Sequence, residues 1–231
     1  MEIKLALHEM PEVINLQRFI KYFEIDVIFD VGANIGQYAQ MLRNKVGFRG
    51  AIFSYEPFSE AFSELCKVAE SDPNWYVFNS AISDRCGETS LNLVASSQMN
   101  SLEVPSTEET EILEQANTQI GQEKVKVITL DQAYEQVSQT FKIRNPLLKL
   151  DTQGHDLKIL QGSNQFKRFV GIQAEVSFKS LYAKTPKYFE TIEFLKMSGF
   201  ELSAVFPNNA GHFPFLLEQD ILVFNASTAL K

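Results

Sequence analysis

Short apolar runs alternate with stretches of helical periodicity along most of this 231-residue chain. The runs end at turn residues, and the stretches after them place apolar residues three or four positions apart. This alternation predicts β-α-β units, and therefore an α/β fold in which helices cover both faces of a mostly parallel sheet. Strands are predicted at residues 27–31, 51–55, 75–79, 147–151, 170–175, 200–206 and 220–224. Helices are predicted at 11–23, 35–46, 58–69 and 186–197, and from 131 and 156 onward.

The last two predicted strands are joined differently from the others. Only the loop at residues 207–218 lies between them, and it is too short to hold a crossover helix. Parallel strands need a connection of about a dozen residues or more, usually a helix. The final pair is therefore predicted to be antiparallel, which makes the sheet mixed at its C-terminal edge.

The middle of the chain departs from the regular pattern. Strict alternation at 87–93 predicts an edge strand, and order resumes with a strand at 125–130. Between them, residues 95–123 are polar and carry only a weak helical pattern, so we expect a loop with one short helix. An insertion of this length is either functional, as a lid or substrate rim, or locally disordered. The helical pattern rests on Ile112, Leu113, Ala116 and Ile120.

The chain shows no internal repeat and no linker rich in proline, glycine or serine. We therefore expect one domain over residues 1–231, with an N-terminal helical segment at 1–25 and the polar insertion at 95–123. An apolar fraction of 45% is enough for a substantial core.

Charge narrows the classes of partner. The chain has 21 Lys and Arg against 29 Asp and Glu, a net charge of −8, with no dense basic cluster. Because binding to nucleic acid depends on basic surfaces that displace counterions, we expect no nucleic-acid partner. No apolar run approaches the ~20 residues that span a bilayer, and the N-terminus lacks a signal peptide pattern, so we expect a soluble cytoplasmic protein without a membrane partner. Cys66 and Cys86 fit no metal-ligand spacing.

A glycine-rich turn follows the first strand and opens a helix. Gly32 and Gly36 let the backbone approach a ligand closely, and Asn34 tolerates positive φ well. Glu56 ends the second strand, where doubly wound folds place the acid that binds ribose hydroxyls. The alternative is an ordinary tight turn, but together the two features favour an adenosine-containing ligand.

Three motifs resemble the FkbM family of S-adenosylmethionine-dependent methyltransferases. They are FDVGANIGQY at 29–38, YEPF at 55–58 and LKLDTQGHDLKILQG at 148–162. The resemblance covers about 27–224 and implies a Rossmann-like class I methyltransferase fold: a mostly parallel seven-stranded sheet with an antiparallel last strand and helices on both faces. It also implies S-adenosylmethionine as the cofactor.

The resemblance further implies which residues bind the cofactor. The turn after the first strand would surround its methionine part, Glu56 would hold the ribose hydroxyls, and Phe58 with residues 79–82 would flank the adenine. The implied cofactor-binding residues are Asp30, Gly32, Ala33, Asn34, Gly36, Glu56, Pro57, Phe58, Ser80, Ala81 and Asp151.

Candidate catalytic residues lie where ligands of open α/β sheets bind, outside the carboxyl ends of the strands. A base that removes the acceptor's proton contributes roughly 10²–10⁴-fold to such steps, and Asp151, Glu175 and His155 are the candidates. The alternatives are a turn or cap carboxylate for Asp151, a sheet-edge salt bridge for Glu175 and a solvent-facing side chain for His155. Lys149 and His212 are weaker candidates.

No metal site is predicted, because the spacing of Asp151, Glu175 and Asp220 does not by itself support one. Aromatic residues could line an acceptor pocket, although core packing explains each of them as well. They are Tyr182, Phe206, Phe213 and Phe215.

These features predict an O-methyltransferase that acts on a hydroxyl of a small molecule, a sugar or glycan unit, or a secondary metabolite. An enzyme that methylates amide nitrogens of nucleobases would carry Asn/Asp-Pro-Pro-Tyr/Phe after the fourth strand, where this chain has Asp-Thr-Gln-Gly. The alternatives are an NAD-dependent oxidoreductase and a non-catalytic interaction module that keeps the fold.

Overall fold

The computed structural model describes residues 10–95, 97–104, 118–183, 185–206 and 216–229. Its helices are α1 (Met10–Tyr22), α2 (Gln37–Met41, followed by a π-helical turn at Leu42–Val46), α3 (Ser59–Ala69), α4 (Leu130–Thr140), α5 (Asp156–Gln161) and α6 (Tyr188–Met197). Its strands are β1 (Val27–Val31), β2 (Ala51–Tyr55), β3 (Trp75–Phe78), β4 (Ala81–Ser83), β5 (Gly87–Val94), β6 (Gln119–Thr129), β7 (Pro146–Leu150), β8 (Gly171–Ser177), β9 (Phe200–Phe206) and β10 (Glu218–Asn225). No described helix is both long and apolar enough to cross a membrane.

Seven strands form the main sheet in the order β3-β2-β1-β7-β8-β10-β9. The first five are parallel, and β10 runs antiparallel to both β8 and β9. The predicted fold class is confirmed, including the antiparallel final pair. Because β1 is flanked by β2 on one side and by the later strand β7 on the other, the strand order reverses between β1 and β7.

Helices cover both faces of the sheet. Successive side chains of a strand point to opposite faces, and the strands carry apolar residues on both. On one face, Phe29 and its neighbours two positions away pack with buried residues of α4, α5 and α6. On the other face, Ile28 and Ile52 pack with buried residues of α1, α2 and α3. The sheet is therefore buried on both sides, and only its edges and strand ends can reach a ligand.

A row of polar residues crosses the middle of this sheet on the α1–α3 face. Ser54 pairs with Asp30, Asp30 with Lys149, and Lys149 with Gln173 on adjacent strands. We call these four residues the polar row. All are at most 5% exposed, so each needs a partner inside the protein.

The polar row is held by hydrogen bonds and charge. Ser54 Oγ donates to Asp30 Oδ2 at 2.9 Å and accepts from Trp75 Nε1 at 2.9 Å. Lys149 Nζ lies 3.6 Å from Asp30 Oδ1. At the other end, Tyr38 Oη donates to Gln173 Oε1 at 2.8 Å. The row therefore forms a connected layer directly beneath the carboxyl ends of the strands.

A second, three-stranded sheet has the order β4-β6-β5. The edge strand predicted at 87–93 is confirmed as β5, but the short strand β4 was not predicted. The expectation of a loop over all of 95–123 is wrong at its end, because β6 already begins at Gln119. The short helix predicted in this insertion falls mainly on 105–117, outside the described residues.

Side-chain amides explain why the start of β6 is a strand without an apolar pattern. Gln119 Nε2 and Gln122 Nε2 both donate to Asn92 Oδ1 on β5, at 3.2 Å and 2.9 Å. These cross-strand bonds hold the polar part of the ladder, where hydrophobic alternation gives no signal.

Candidate functional site

A cleft of about 680 Å³ lies across the carboxyl ends of β1, β2, β7 and β8 and the start of β10. It therefore spans the point where strand order reverses, the usual ligand position in open α/β sheets. Its volume is in the range typical of small-molecule sites, roughly 300–1,000 Å³. Within the part of the chain that the structure describes, no group of three or more His, Cys, Asp or Glu could hold a metal ion.

The turn after β1 is pressed between β2 and β7. Gly32 has a φ of +79°, and a Cβ at this position would lie 1.9 Å from the backbone oxygen of Asp151. Its N–H donates to the backbone oxygen of Tyr55 at 3.0 Å, and the N–H of Ala33 donates to the same oxygen at 3.1 Å. The turn is thus fixed at the floor of the cleft by a contact that only glycine permits.

Glu56 ends in the cleft with a carboxylate that organises this turn. Its Oε2 accepts from the N–H of Asn34 at 2.7 Å, and its Oε1 accepts from the N–H of Phe58 at 2.8 Å. Asn34 adopts a φ of +47°, as the sequence indicates. Burial raises the pKa of Glu56 to about 7, against the lowering effect of the two backbone N–H groups. Each oxygen has a further lone pair, so the carboxylate can accept hydroxyl hydrogens from a ligand.

Most of the predicted cofactor-binding residues line the cleft, and three do not. Asp30 is fully buried in the polar row, Gly36 packs against the Trp75 ring, and Phe58 packs beside the second sheet. Any role of these three in cofactor binding would act through their neighbours. The residues that line the cleft are Gly32, Ala33, Asn34, Glu56, Pro57, Ser80, Ala81 and Asp151.

Asp151 follows β7 and faces the cleft beside Lys149. Its Oδ2 accepts from Lys149 Nζ at 3.1 Å. Burial lowers the pKa of Lys149, but Asp151 and Asp30 outweigh it and hold that pKa above its usual range. Lys149 is therefore charged and joins the polar row to the cleft.

Glu175 lies on the same side of the cleft, on β8. Because β8 runs between β7 and β10, the expectation of a salt bridge at the sheet edge does not fit. Gln153 Nε2 donates both to Asp151 Oδ1 at 2.9 Å and to Glu175 Oε2 at 3.2 Å. The structure therefore brings together two of the three predicted catalytic residues through one amide group.

Two further acids on β10 border Glu175. Asp220 pairs with Glu175 across the antiparallel ladder, and the side chain of Glu218 is hydrogen-bonded to that of Glu175. Glu218 Oε1 also accepts from Ser177 Oγ at 3.1 Å. Burial, followed by the charges of Glu218, Asp151, Asp220 and Asp156, raises the pKa of Glu175 well above its ordinary value. Burial and Asp151 likewise raise the pKa of Asp220. This wall of the cleft favours protonated acids or a cationic ligand.

His155 lies apart from the other two candidates. It is 2% exposed, so the solvent-facing alternative is wrong, and it does not line the cleft. Its Nε2 lies 2.8 Å from Ser83 Oγ and its Nδ1 lies 2.9 Å from Glu103 Oε1. His155 therefore connects the second sheet to residues 97–104, and its predicted role as a base would require it to leave these partners.

Sequence reasoning missed or undervalued several residues that line the cleft. Gln173 and Glu175 lie two positions apart on the buried strand β8, and Lys149 interrupts the apolar run of β7. Polar residues inside buried strands are the sequence signal that indicates these positions. Tyr182 is fully buried, as core packing predicts, while Phe213 and Phe215 fall outside the described residues, as does His212. The missed or undervalued residues are Glu12, Tyr38, Lys149, Gln153, Gln173 and Glu218.

We expect the free energy of unfolding of the ligand-free protein to fall as the pH rises from 4.5 to about 7. A carboxyl whose pKa is raised in the folded state keeps a proton that the unfolded chain releases, so its contribution is complete below the unfolded pKa and is lost as pH rises through the folded pKa. For Glu56 this window runs from 4.5 to about 7, which amounts to about 3 kcal/mol at ~1.4 kcal/mol per pH unit. Urea unfolding at several pH values measures the slope.

The variant Glu56→Gln serves as the control for this slope. Because it cannot titrate, its stability should vary less with pH than that of the wild type. Equal slopes in the two proteins, or a wild-type stability that rises over this window, would contradict the assignment.

Comparison with known proteins gives one family and several structures of the same fold. The model of the methyltransferase FkbM domain matches residues 30–202. No protein of curated function matches the sequence. The solved methyltransferase FkbM from Methylobacillus flagellatus is 13% identical with a TM-score of 0.51, over 87% of this chain and 44% of that one.

Two solved fibrillarins also match the chain. The fibrillarin pre-rRNA processing protein from Methanococcus jannaschii is 11% identical with a TM-score of 0.50, over 87% of this chain and 67% of that one. Aeropyrum pernix fibrillarin, solved with natively bound S-adenosyl-L-methionine, is 13% identical with a TM-score of 0.47, over 86% of this chain and 66% of that one. The chain thus spans about two thirds of these fibrillarins and less than half of the solved FkbM protein.

The expectation that the chain has no nucleic-acid partner is wrong. Proteins of this fold include the pre-rRNA processing protein from Methanococcus jannaschii. The net charge of −8 belongs to the whole chain and does not describe every surface of it. Net charge is a sum over the chain, whereas a partner meets the charges of one local surface.

Proposed function

Because the chain belongs to the methyltransferase FkbM domain family, we propose that it transfers a methyl group to a hydroxyl oxygen of a small molecule, a sugar unit or a secondary metabolite. The family makes the chain an S-adenosylmethionine-dependent methyltransferase. Membership of this family therefore argues against the two alternatives, an NAD-dependent oxidoreductase and a non-catalytic module. What we propose beyond the family is the acceptor and the residues that act on it.

The residues at the strand ends fit the cofactor. The cleft lies across the switch point, Glu56 offers a nearly buried carboxylate to hydroxyl groups, and the backbone of Gly32 to Asn34 borders the same space. We propose that these residues hold the cofactor, with Ser80 and Ala81 beside its adenine. When bound, S-adenosylmethionine supplies an electrophilic methyl group.

Glu175 is our candidate for the base that takes the proton from the acceptor hydroxyl. Its pKa is raised by burial and by the acids around it, and a carboxylate of raised pKa is a better proton acceptor near neutral pH. Asp151, held by Lys149 Nζ at 3.1 Å, orients the acceptor from its place beside Glu175. His155, bound to Ser83 and Glu103, takes no direct part.

The observation that carries the hydroxyl acceptor is the pair of carboxylates in one cleft. Asp151 and Glu175 accept hydrogen bonds from the same amide group, and both line the space next to the turn after β1. A pair of carboxylates beside a methyl donor suits an acceptor that must be oriented and must lose a proton.

The whole of residues 1–231 is proposed to act as one methyltransferase domain, with the described part of 95–123 forming a rim. Residues 98–102 line the cleft, which supports the rim rather than a remote loop. We also propose a cytoplasmic location, supported by two cysteines that are both free thiols.

Purified protein incubated with methyl-labelled S-adenosylmethionine and a metabolite extract tests the proposal. We expect label on a hydroxyl-bearing product of increased mass, and calorimetry should show binding of S-adenosylmethionine but not of NAD. Glu56→Ala should lose both the binding and the labelling, because the carboxylate that organises the turn is gone.

Separate acceptor fractions make the test decisive about the acceptor. Label that appears only in an RNA fraction would contradict the small-molecule acceptor, and label on nitrogen would contradict the hydroxyl acceptor, while either would leave the methyltransferase in place. Binding of NAD without binding of S-adenosylmethionine would contradict the cofactor assignment as well.

A further inference from the structure

Gln153 occupies an unusual backbone conformation in the turn between β7 and α5. Its φ is +54°, a left-handed value that non-glycine residues adopt rarely and at an energetic cost. The turn is fixed on its far side by Asp156, whose Oδ1 accepts from the N–H and hydroxyl of Thr152 and whose Oδ2 accepts from the N–H of Glu175 at 3.2 Å. This backbone directs the Gln153 side chain into the cleft.

The amide of Gln153 bridges the two carboxylates of the proposed reaction. Its Nε2 donates one hydrogen to Asp151 Oδ1 at 2.9 Å and one to Glu175 Oε2 at 3.2 Å. When both are ionised, the two carboxylates that share this amide repel each other. The amide nitrogen carries two hydrogens that can be donated. Both are used to hold the carboxylates at a fixed separation without adding charge.

The other side of Gln153 meets the rim at residues 97–104. Ser101 Oγ donates to the backbone oxygen of Gln153 at 2.7 Å. Tyr182 Oη lies 3.0 Å from Gln153 Oε1 and 2.8 Å from the backbone oxygen of Met99. A phenol has one hydrogen, so Tyr182 shares it between the amide and the rim. The orientation of the amide is thereby linked to whether the rim is seated.

From these contacts we propose that Gln153 is the positioning residue of the active site: it sets the geometry of Asp151 and Glu175, and it makes that geometry depend on the seated rim. The inference rests on the proposed function for the roles of the two carboxylates. The contacts themselves are independent of which acceptor is used. A misplacement of about 1 Å in such a site lowers rates on the order of 10²-fold.

The variant Gln153→Asn separates bridging from backbone strain. Asparagine tolerates positive φ better than glutamine, so the turn should be kept. Its shorter amide cannot reach both carboxylates. We expect kcat to fall about 10–100-fold, with KM for the acceptor and the affinity for S-adenosylmethionine changed by less than about threefold.

A readout without cofactor or acceptor is the titration of the Glu175 carboxyl carbon by NMR. The groups that face Glu175 are Glu218 and Asp220 on β10, Asp151 after β7 and Asp156 on α5, and none of them is substituted in the variant. Because Gln153 donates to the ionised form of Glu175, its loss should move the Glu175 titration to higher pH. The pH dependence of kcat should move in the same direction.

The variant Tyr182→Phe is the matched control for the rim. It removes the hydroxyl that links the amide of Gln153 to the rim, so hydrogen exchange at 98–102 should quicken and the Glu175 titration should move to higher pH, by less than in Gln153→Asn. Gln153→Asn should change both.

The proposal is overturned if Gln153→Asn leaves the Glu175 titration where it is in the wild type and kcat within twofold. A wild type that neither binds S-adenosylmethionine nor transfers label would instead overturn the proposed function, while the titration and the exchange would still report on Gln153. The two failures are therefore distinguishable.

Discussion

Replacing Glu175 by glutamine is expected to lower kcat for methyl transfer by about 10²–10⁴-fold, the usual contribution of a positioned base. Glutamine keeps the size of the side chain and the contact with the Gln153 amide on its carbonyl oxygen, but it cannot take a proton. The wild-type kcat should rise with pH as Glu175 loses its proton, because burial raises its pKa. The variant should lose this rise. Initial rates with labelled donor over a pH series measure both effects.

The same substitution should not unfold the protein. Glu175 is crowded by Glu218 and Asp220 on the neighbouring strand β10. Because the substitution removes one acid from this cluster, the free energy of unfolding at pH 8 should increase or stay equal. The matched control is Glu193→Gln on the exposed face of α6, which should leave kcat unaltered. A Glu175→Gln enzyme with kcat within tenfold of the wild type would assign the base to another group.

Replacing Gly32 by alanine is expected to destabilise the protein by about 2–5 kcal/mol and to abolish cofactor binding. Two costs add: a left-handed backbone costs a residue with a Cβ roughly 1–2 kcal/mol, and overpacking typically costs about 1–3 kcal/mol. The second cost arises because the new Cβ would lie 1.9 Å from the Asp151 backbone oxygen. Relief requires the turn after β1 to move away from β7, which opens the floor of the cleft. Urea unfolding and calorimetry with S-adenosylmethionine measure the two effects.

Gly47 offers a matched control for this prediction. Its φ of +84° is nearly that of Gly32, but a Cβ there would meet nothing within 4 Å. Gly47→Ala should therefore cost only about 1–2 kcal/mol and leave cofactor affinity intact. If both variants are equally destabilised and both bind the cofactor, the close approach of the turn to β7 does not define the site.

The main sheet could be predicted from the sequence because its strands are buried on both faces. Residues 27–31 and 51–55 are nearly continuous apolar runs, and their bounds agree with β1 and β2. The three-residue strand β4 could not be predicted, since its only described sheet partner, β6, lies more than 40 positions away in the chain. Long-range pairing of a strand this short leaves no local pattern.

The candidate site was only partly predictable for a related reason. Glu56 and Asp151 follow strands directly, so their place at the strand ends is a local property. The orientation of His155 is not a local property, because it depends on Glu103, which lies 52 residues earlier in the chain. The bridge made by Gln153 likewise requires β7 and β8 to be neighbours, a fact that appears only when the sheet is assembled.

The polar row has a consequence for how the sheet assembles. In an all-apolar parallel sheet, a strand that slips along its neighbour by two residues still buries a hydrophobic surface. Here a slip of β7 would take Lys149 away from Asp30 and leave a buried ammonium and a buried carboxylate apart, which costs several kcal/mol. The polar row therefore specifies the register of the strands, because misaligned strands are less stable. The correct register is the one that brings the ends of β1, β2, β7 and β8 level with each other.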